Sequence, residues 1–142
     1  MKKTVIIFLF GVIGFVGYSQ EQNINFENSS FEESLVKAAA ENKLIFIDCY
    51  TSWCGPCKEM SKYIFTDESV YTYFNEKFIN VKMNMEKGEG IELAQYYKVD
   101  SYPTLLFLDT NGDVVHKVIG LISAEKLLDN AKAVNAKTQK GN

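Results

Sequence analysis

Leu44-Ile45-Phe46-Ile47-Asp48-Cys49-Tyr50-Thr51-Ser52-Trp53-Cys54-Gly55-Pro56-Cys57-Lys58 is the stretch on which the fold turns. Its first seven residues are apolar except for Asp48 and read as a buried strand. Glu59 to Phe65 then has helical spacing without a breaker. Two cysteines separated by two residues at a strand-to-helix junction point to a dithiol that opens and closes as a disulfide. The first turn of a helix brings residues three apart close enough for their sulfurs to bond. Cys54 falls at the helix N-terminus, where free amides and the positive end of the dipole favour a thiolate. Pro56 is tolerated there, since the first turn needs no N–H donor.

Two other readings of the pair are a static structural disulfide and half of a zinc site. A structural zinc site takes four Cys or His ligands. Beyond the pair the chain offers only Cys49 and His116, neither at ligand spacing. A static bridge closing so small a loop constrains the unfolded chain little. The redox-active reading is preferred, with no metal and no cofactor expected. Three cysteines are an odd count. Cys49 adjoins Asp48 and so faces the other side of the sheet, where a free cysteine packs as a core residue.

Asp48, Trp53, Cys54, Gly55, Pro56, Cys57 and Lys58 together resemble the thioredoxin family, and Lys82, Tyr102-Pro103-Thr104 and Gly120 fall at that family's spacings. The resemblance runs from around Phe26 to Val134. Phe65-Thr66-Asp67 and the following Val70 are most similar to periplasmic thioredoxin-like domains, among them the C-terminal domain of transmembrane thiol:disulfide interchange reductases. The resemblance implies an α/β thioredoxin fold, a central mixed β-sheet flanked by helices on both faces, with a Cys54–Cys57 redox disulfide.

The same resemblance places Asp48 beneath Cys57, exchanging a proton with it, and Lys82 on the neighbouring strand, paired with Asp48. A carboxylate inside a buried strand is costly when charged, so its pKa is expected to rise. Pro103 is implied to be cis and to face the dithiol, leaving the Tyr102 backbone free to pair with an extended partner segment. Tyr102 departs from the small aliphatic residue of thioredoxin. Trp53 and Gly120 flank the same opening, one as a flat apolar wall and the other as room for a partner's backbone. Trp53 in the core is the rival reading. Lys58 either aids the thiolates or is a solvated helix lysine, and His116 reads as a surface or satisfied histidine.

Residues 1–19 read as a cleavable signal peptide: Lys2 and Lys3, an apolar run from Thr4 to Val16, then Gly17-Tyr18-Ser19 with small residues at −3 and −1. The alternative is an uncleaved anchor, although the run is short for a membrane span. Cleavage leaves 123 residues, with 13 lysines against 18 acidic residues, a formal −5 in place of −3. There is no arginine, and an acidic chain without arginine argues against nucleic acid and phosphate-rich partners.

Residues 20–29 are a polar linker with at most one short edge strand around Ile24 to Phe26. Residues 30–135 are the thioredoxin-like domain, and 136–142 a polar tail without fixed structure. Ser30-Phe31-Glu32-Glu33 is a capping box opening a helix with Phe31, Leu35 and Ala38 inward, stopped at Asn42. Thr66-Asp67 starts a second helical piece after the dithiol helix, either a restart or a kink. Phe78 to Met85 alternates as a strand with one wet face. Ile91 to Tyr97 is a short helix. Leu105–Leu108 and Val114–Ile119 are strands joined through Asn111-Gly112, a hairpin turn sequence. Ser123 caps a last helix.

These expectations converge on a periplasmic or secreted thiol:disulfide oxidoreductase. It is read as a monomer that mainly reduces disulfide-bearing protein substrates through a mixed disulfide, recharged by a membrane electron donor of the thiol:disulfide interchange type. The alternatives are a thioredoxin-fold binding module and a disulfide isomerase.

Overall fold

Leu44–Tyr50 forms β1, which is hydrogen-bonded on both sides and therefore buried along almost its whole length. The computed structural model describes residues 22–140. The expected signal peptide at 1–19 lies outside the described residues, as do 141 and 142. β2 (Phe78–Asn84) runs parallel to β1, and β3 (Thr104–Leu108) antiparallel to it. β4 (Val114–Ile119) completes the order β2-β1-β3-β4 and is antiparallel to β3. A parallel neighbour requires a crossover. Here α2 (Gly55–Glu59), a π-helical turn (Met60–Ile64) and α3 (Glu68–Lys77) supply it. α1 (Phe31–Glu41) precedes β1, α4 (Glu89–Tyr96) joins β2 to β3, and α5 (Ala124–Lys140) ends the described chain. The expected mixed sheet with helices on both faces is present.

Local chemistry sets the helix ends. The Ser30 hydroxyl accepts from the Glu33 amide at 3.2 Å while the Glu33 carboxylate accepts from the Ser30 amide at 2.9 Å. Asn42 ends α1 in the left-handed region, with φ 50°. The Asp67 carboxylate accepts from the amides of Ser69 and Val70 at 3.0 and 3.4 Å, so α3 restarts on a fresh cap instead of continuing through a kink. Such a cap contributes about 1 kcal/mol. The turn before it is wider than α-helical, with the Phe65 amide donating to the Met60 carbonyl five residues back at 2.9 Å.

Alternation along β1 divides the core. Phe46 faces one layer with Met60, Phe65, Phe74, Phe107 and Leu127, beneath the α2–α3 crossover and α5. Ile45, Ile47 and Cys49 face the other with Phe31, Ala38, Tyr97 and Leu106, beneath α1 and α4. The first layer is an aromatic stack: Phe46 meets Phe74 edge-on at 4.7 Å and Phe107 at 5.3 Å. Replacing Phe46 by Ala would cost about 3–5 kcal/mol.

Two expectations are corrected. The face of β2 expected to be wet is covered at Phe78 and Asn80, where α3 and the N-terminal segment lie over it, and only Lys82 and Asn84 further along stay partly exposed. Asn80 is buried, its side chain donates to the Phe74 carbonyl at 3.2 Å, and its backbone bridges Phe26. The expected edge strand around Ile24 to Phe26 is that single bridge. The polar stretch from Ala136 is not a loose tail, since α5 continues through it to Lys140. Among the described residues no helix is long and apolar enough to cross a membrane.

Candidate active site

β1 ends at Tyr50 and the chain turns through Thr51 to Trp53 into α2, bringing both cysteines just past the C-terminal end of this central strand. Cys54 caps α2, its Sγ accepting from the Cys57 amide at 3.1 Å. The two residues are joined as a disulfide with their Cα atoms 5.3 Å apart, and are only 2% and 3% exposed.

Beside Cys57 lies an ion pair whose carboxylate is wholly buried and whose ammonium is partly exposed. Asp48 lies two residues from Phe46 and so shares its face toward the α2 layer, and the parallel register sets it directly beside Lys82. The Lys82 ammonium donates to the Asp48 carboxylate and, at 2.9 Å, to the Ser61 hydroxyl. It also lies 4.7, 5.3 and 5.4 Å from the ring centroids of Tyr50, Phe26 and Phe65. Burial pushes the Asp48 pKa up, and the charge and hydrogen bond of Lys82 offset this only in part. Asp48 Oδ1 has no hydrogen-bond partner among the described residues. A cleft of about 350 Å³ opens beside the pair, with Thr51, Cys57, Lys58, Ser61 and Lys82 in its wall. Cys57 and Lys82 thus share one cleft.

A second cluster joins three chain segments, at Trp53, at Tyr102–Pro103 and at Gly120. The Tyr102–Pro103 peptide is cis, and the Pro103 carbonyl accepts from the Gly120 amide at 2.8 Å. Gly120 has φ 93°, and a Cβ built on it would meet nothing within 4 Å. Trp53 is 67% exposed, so it belongs to the surface and not to the core. Its ring meets Tyr102 edge-on at 6.0 Å. Its indole N–H donates to both oxygens of Glu86 at 3.0 and 3.1 Å. The Asn84 side chain donates to the Ser52 hydroxyl at 3.0 Å and accepts from the Glu86 amide at 3.0 Å, tying together the two turns that hold Trp53. Burial, with the Glu86 charge second, raises the Tyr102 pKa.

The structure joins Asp48 to Lys82, the pair that the resemblance implied, and it also joins Pro103 to Gly120, two residues expected at the opening but not expected as partners. Cys49 lies in the opposite layer, its thiol pKa pushed up by burial and by Asp48, and packs as core. His116 is satisfied by Asn130 at 2.7 Å and packs on Phe107, away from the disulfide. Sequence reasoning missed Ser61, Glu86 and the rings around Lys82. Only Ser61 carried a signal, its helical spacing of four from Cys57.

A sequence model of the thioredoxin family matches residues 22–133. The chain is 31% identical over 123 residues to the thiol:disulfide interchange protein DsbD of Tatumella citrea, covering 83% of this chain and 21% of that protein. It is 44% identical over 73 residues to thioredoxin-1 of Drosophila melanogaster, covering 51% of this chain and 64% of that one. The chain thus spans about a fifth of the length of the DsbD relatives. A Bacteroides thetaiotaomicron protein described as a disulphide-isomerase superposes with a TM-score of 0.71 at 49% identity, over 82% of this chain and 96% of that one. The C-terminal domain of Neisseria meningitidis DsbD, in its oxidised form, superposes at 0.63 and 20% identity over 78% and 97%, a likeness of fold. The chain belongs to the thioredoxin family of thiol–disulfide oxidoreductases, with Cys54 and Cys57 as its CxxC pair.

Proposed function

We propose that this protein is an exported oxidoreductase that mainly reduces disulfides in other proteins. The observation that supports the reading is the Cys54–Cys57 disulfide, with Cys57 in the wall of the same cleft as Lys82, which is paired to Asp48. In the reduced protein the Cys54 thiolate attacks a partner disulfide. A Cys54–partner bond forms, the partner's S–S bond breaks, and the released sulfur takes up a proton. Cys57 gives its proton to Asp48, because the thiolate and not the thiol is the nucleophile. The Cys57 thiolate attacks Cys54 in the mixed disulfide, closing the Cys54–Cys57 bond and releasing the second partner thiol. Two electrons pass from the dithiol to the partner, and no cofactor takes part. Tyr102, Pro103, Gly120 and Trp53 receive the partner's extended segment.

The direction rests on the residues between the cysteines. A strong oxidant needs a specially stabilised reduced form, and Gly55-Pro56 supplies no histidine or cation for that. Export is supported by the sequence of residues 1–19 and by the DsbD relatives. An exported reductant works against an oxidising compartment, so the electron donor is a membrane protein of the thiol:disulfide interchange type. The isomerase reading is favoured by the description of the Bacteroides relative.

Insulin reduction with dithiothreitol as electron source tests the proposal. The protein is expected to accelerate it and Cys54→Ser to abolish the acceleration. A rate no better than dithiothreitol alone would favour a binding module. Restoration of activity to scrambled ribonuclease, with little insulin reduction, would favour the isomerase.

A further inference from the structure

We propose that Ser61 is a positioning residue for the proton exchange at Cys57, its hydroxyl holding the Lys82 ammonium on Asp48. The inference rests on the proton role given to Asp48 above. Ser61 lies four residues beyond Cys57 in the wide turn after α2, and the two share the wall of one cleft with Lys82. An ammonium has three N–H donors and no acceptor. One donor of Lys82 goes to Asp48 and another to Ser61 Oγ at 2.9 Å, with no further oxygen partner among the described residues. The remaining neighbours are the faces of Phe26, Tyr50 and Phe65. Aromatic faces attract the charge but fix its position less sharply than a directed hydrogen bond.

The two partners of the ion pair differ in freedom. The Asp48 side chain is wholly buried, whereas that of Lys82 is 29% exposed and ends on a flexible stem. Without Ser61 the ammonium is free to turn into the cleft, where water would solvate it. Asp48 would stay and lose part of the attraction that opposes its burial, so it would keep its proton to higher pH. The other titratable groups around the cleft are Cys57 and Lys58 of α2, Lys62 of the π turn and Tyr50 of β1. Lys62 lies over the Tyr63 ring at 4.9 Å. On the β3 side Asp48 pairs with Leu105, which brings no charge. Lys82 is therefore the cation that Ser61 can govern.

The experiment is a carboxyl-carbon NMR titration of Asp48 in the oxidised protein, where Cys57 has no thiol to titrate. It compares the parent with Ser61→Ala and Ser61→Thr. Alanine is the best helix former, so the local structure is kept. In Ser61→Ala the Asp48 midpoint is expected to rise by on the order of one unit, and in Ser61→Thr to stay with the parent. The pH of half-maximal insulin reduction is expected to move with it. An unchanged midpoint in Ser61→Ala, or an equal rise in Ser61→Thr, overturns the hold on Lys82. A raised midpoint with an unmoved turnover profile overturns the proton role of Asp48, and with it the purpose assigned to Ser61.

Discussion

The indole N–H of Trp53, the residue before Cys54, donates to both carboxylate oxygens of Glu86, 33 residues away in sequence, and so tethers an exposed ring. An exposed indole without a partner would lie down on the surface or move between orientations. Glu86 fixes it as a wall, and Tyr102 completes the corner at 87°.

Glu86→Ala is expected to loosen that wall without unfolding the chain. Trp53 is the only tryptophan, so its fluorescence anisotropy reports the change directly. A solvent-facing hydrogen bond of this kind is worth roughly 0.5–1.5 kcal/mol. The KM for insulin is therefore expected to rise by about 2–10-fold, while reduction of a small disulfide such as oxidised glutathione is unaffected. Unaltered anisotropy would mean that Glu86 does not hold the ring.

Asp48→Asn is expected to slow turnover near neutral pH and to flatten the dependence of stability on pH. The Asp48 pKa is raised in the folded state. Between its ordinary value and that raised value the folded chain holds a proton that the unfolded chain has lost. Stability of the parent therefore falls as pH rises through this window, by about 1.4 kcal/mol for each unit of elevation. The Asn variant lacks this slope. Urea denaturation of both proteins from pH 4 to 9 checks it, and parallel curves would contradict the burial effect.

Gly120→Ala places a methyl group in open space at φ 93°. The expected cost is backbone strain of about 1–2 kcal/mol, read as a lower urea midpoint with an unchanged m-value. The methyl would also stand where the partner's backbone is proposed to run. Insulin reduction is expected to fall by more than reduction of oxidised glutathione, and an equal loss for both would remove Gly120 from the partner channel.

Capping and periodicity made much of this fold legible before any coordinates. Ser30-Phe31-Glu32-Glu33, Asn42, Asp67 and Asn111-Gly112 act within a few residues, so their outcome is written locally. Cys54 and Cys57 belong to the same class. Asp48 with Lys82 spans two strands, and was readable only because the resemblance supplied the pairing. Glu86 and the ring of Phe26 reach the site through loops whose course depends on the whole fold, and no local pattern marks them. The helix past Ala136 was missed because its polar sequence hides that Val134 still packs on the core. Asn80 misled in the opposite way, a polar side chain buried by finding the Phe74 carbonyl.

Equilibration of the purified protein with glutathione redox buffers, read by alkylation of the Cys54–Cys57 pair, tests the proposed reductase most directly. A pair flanked by no histidine or cation between its cysteines is expected to have a strongly reducing potential, close to the value of about −270 mV typical of thioredoxin. A potential at or above about −180 mV, the level of protein disulfide isomerase, would contradict the reductase and leave an oxidase or isomerase in its place.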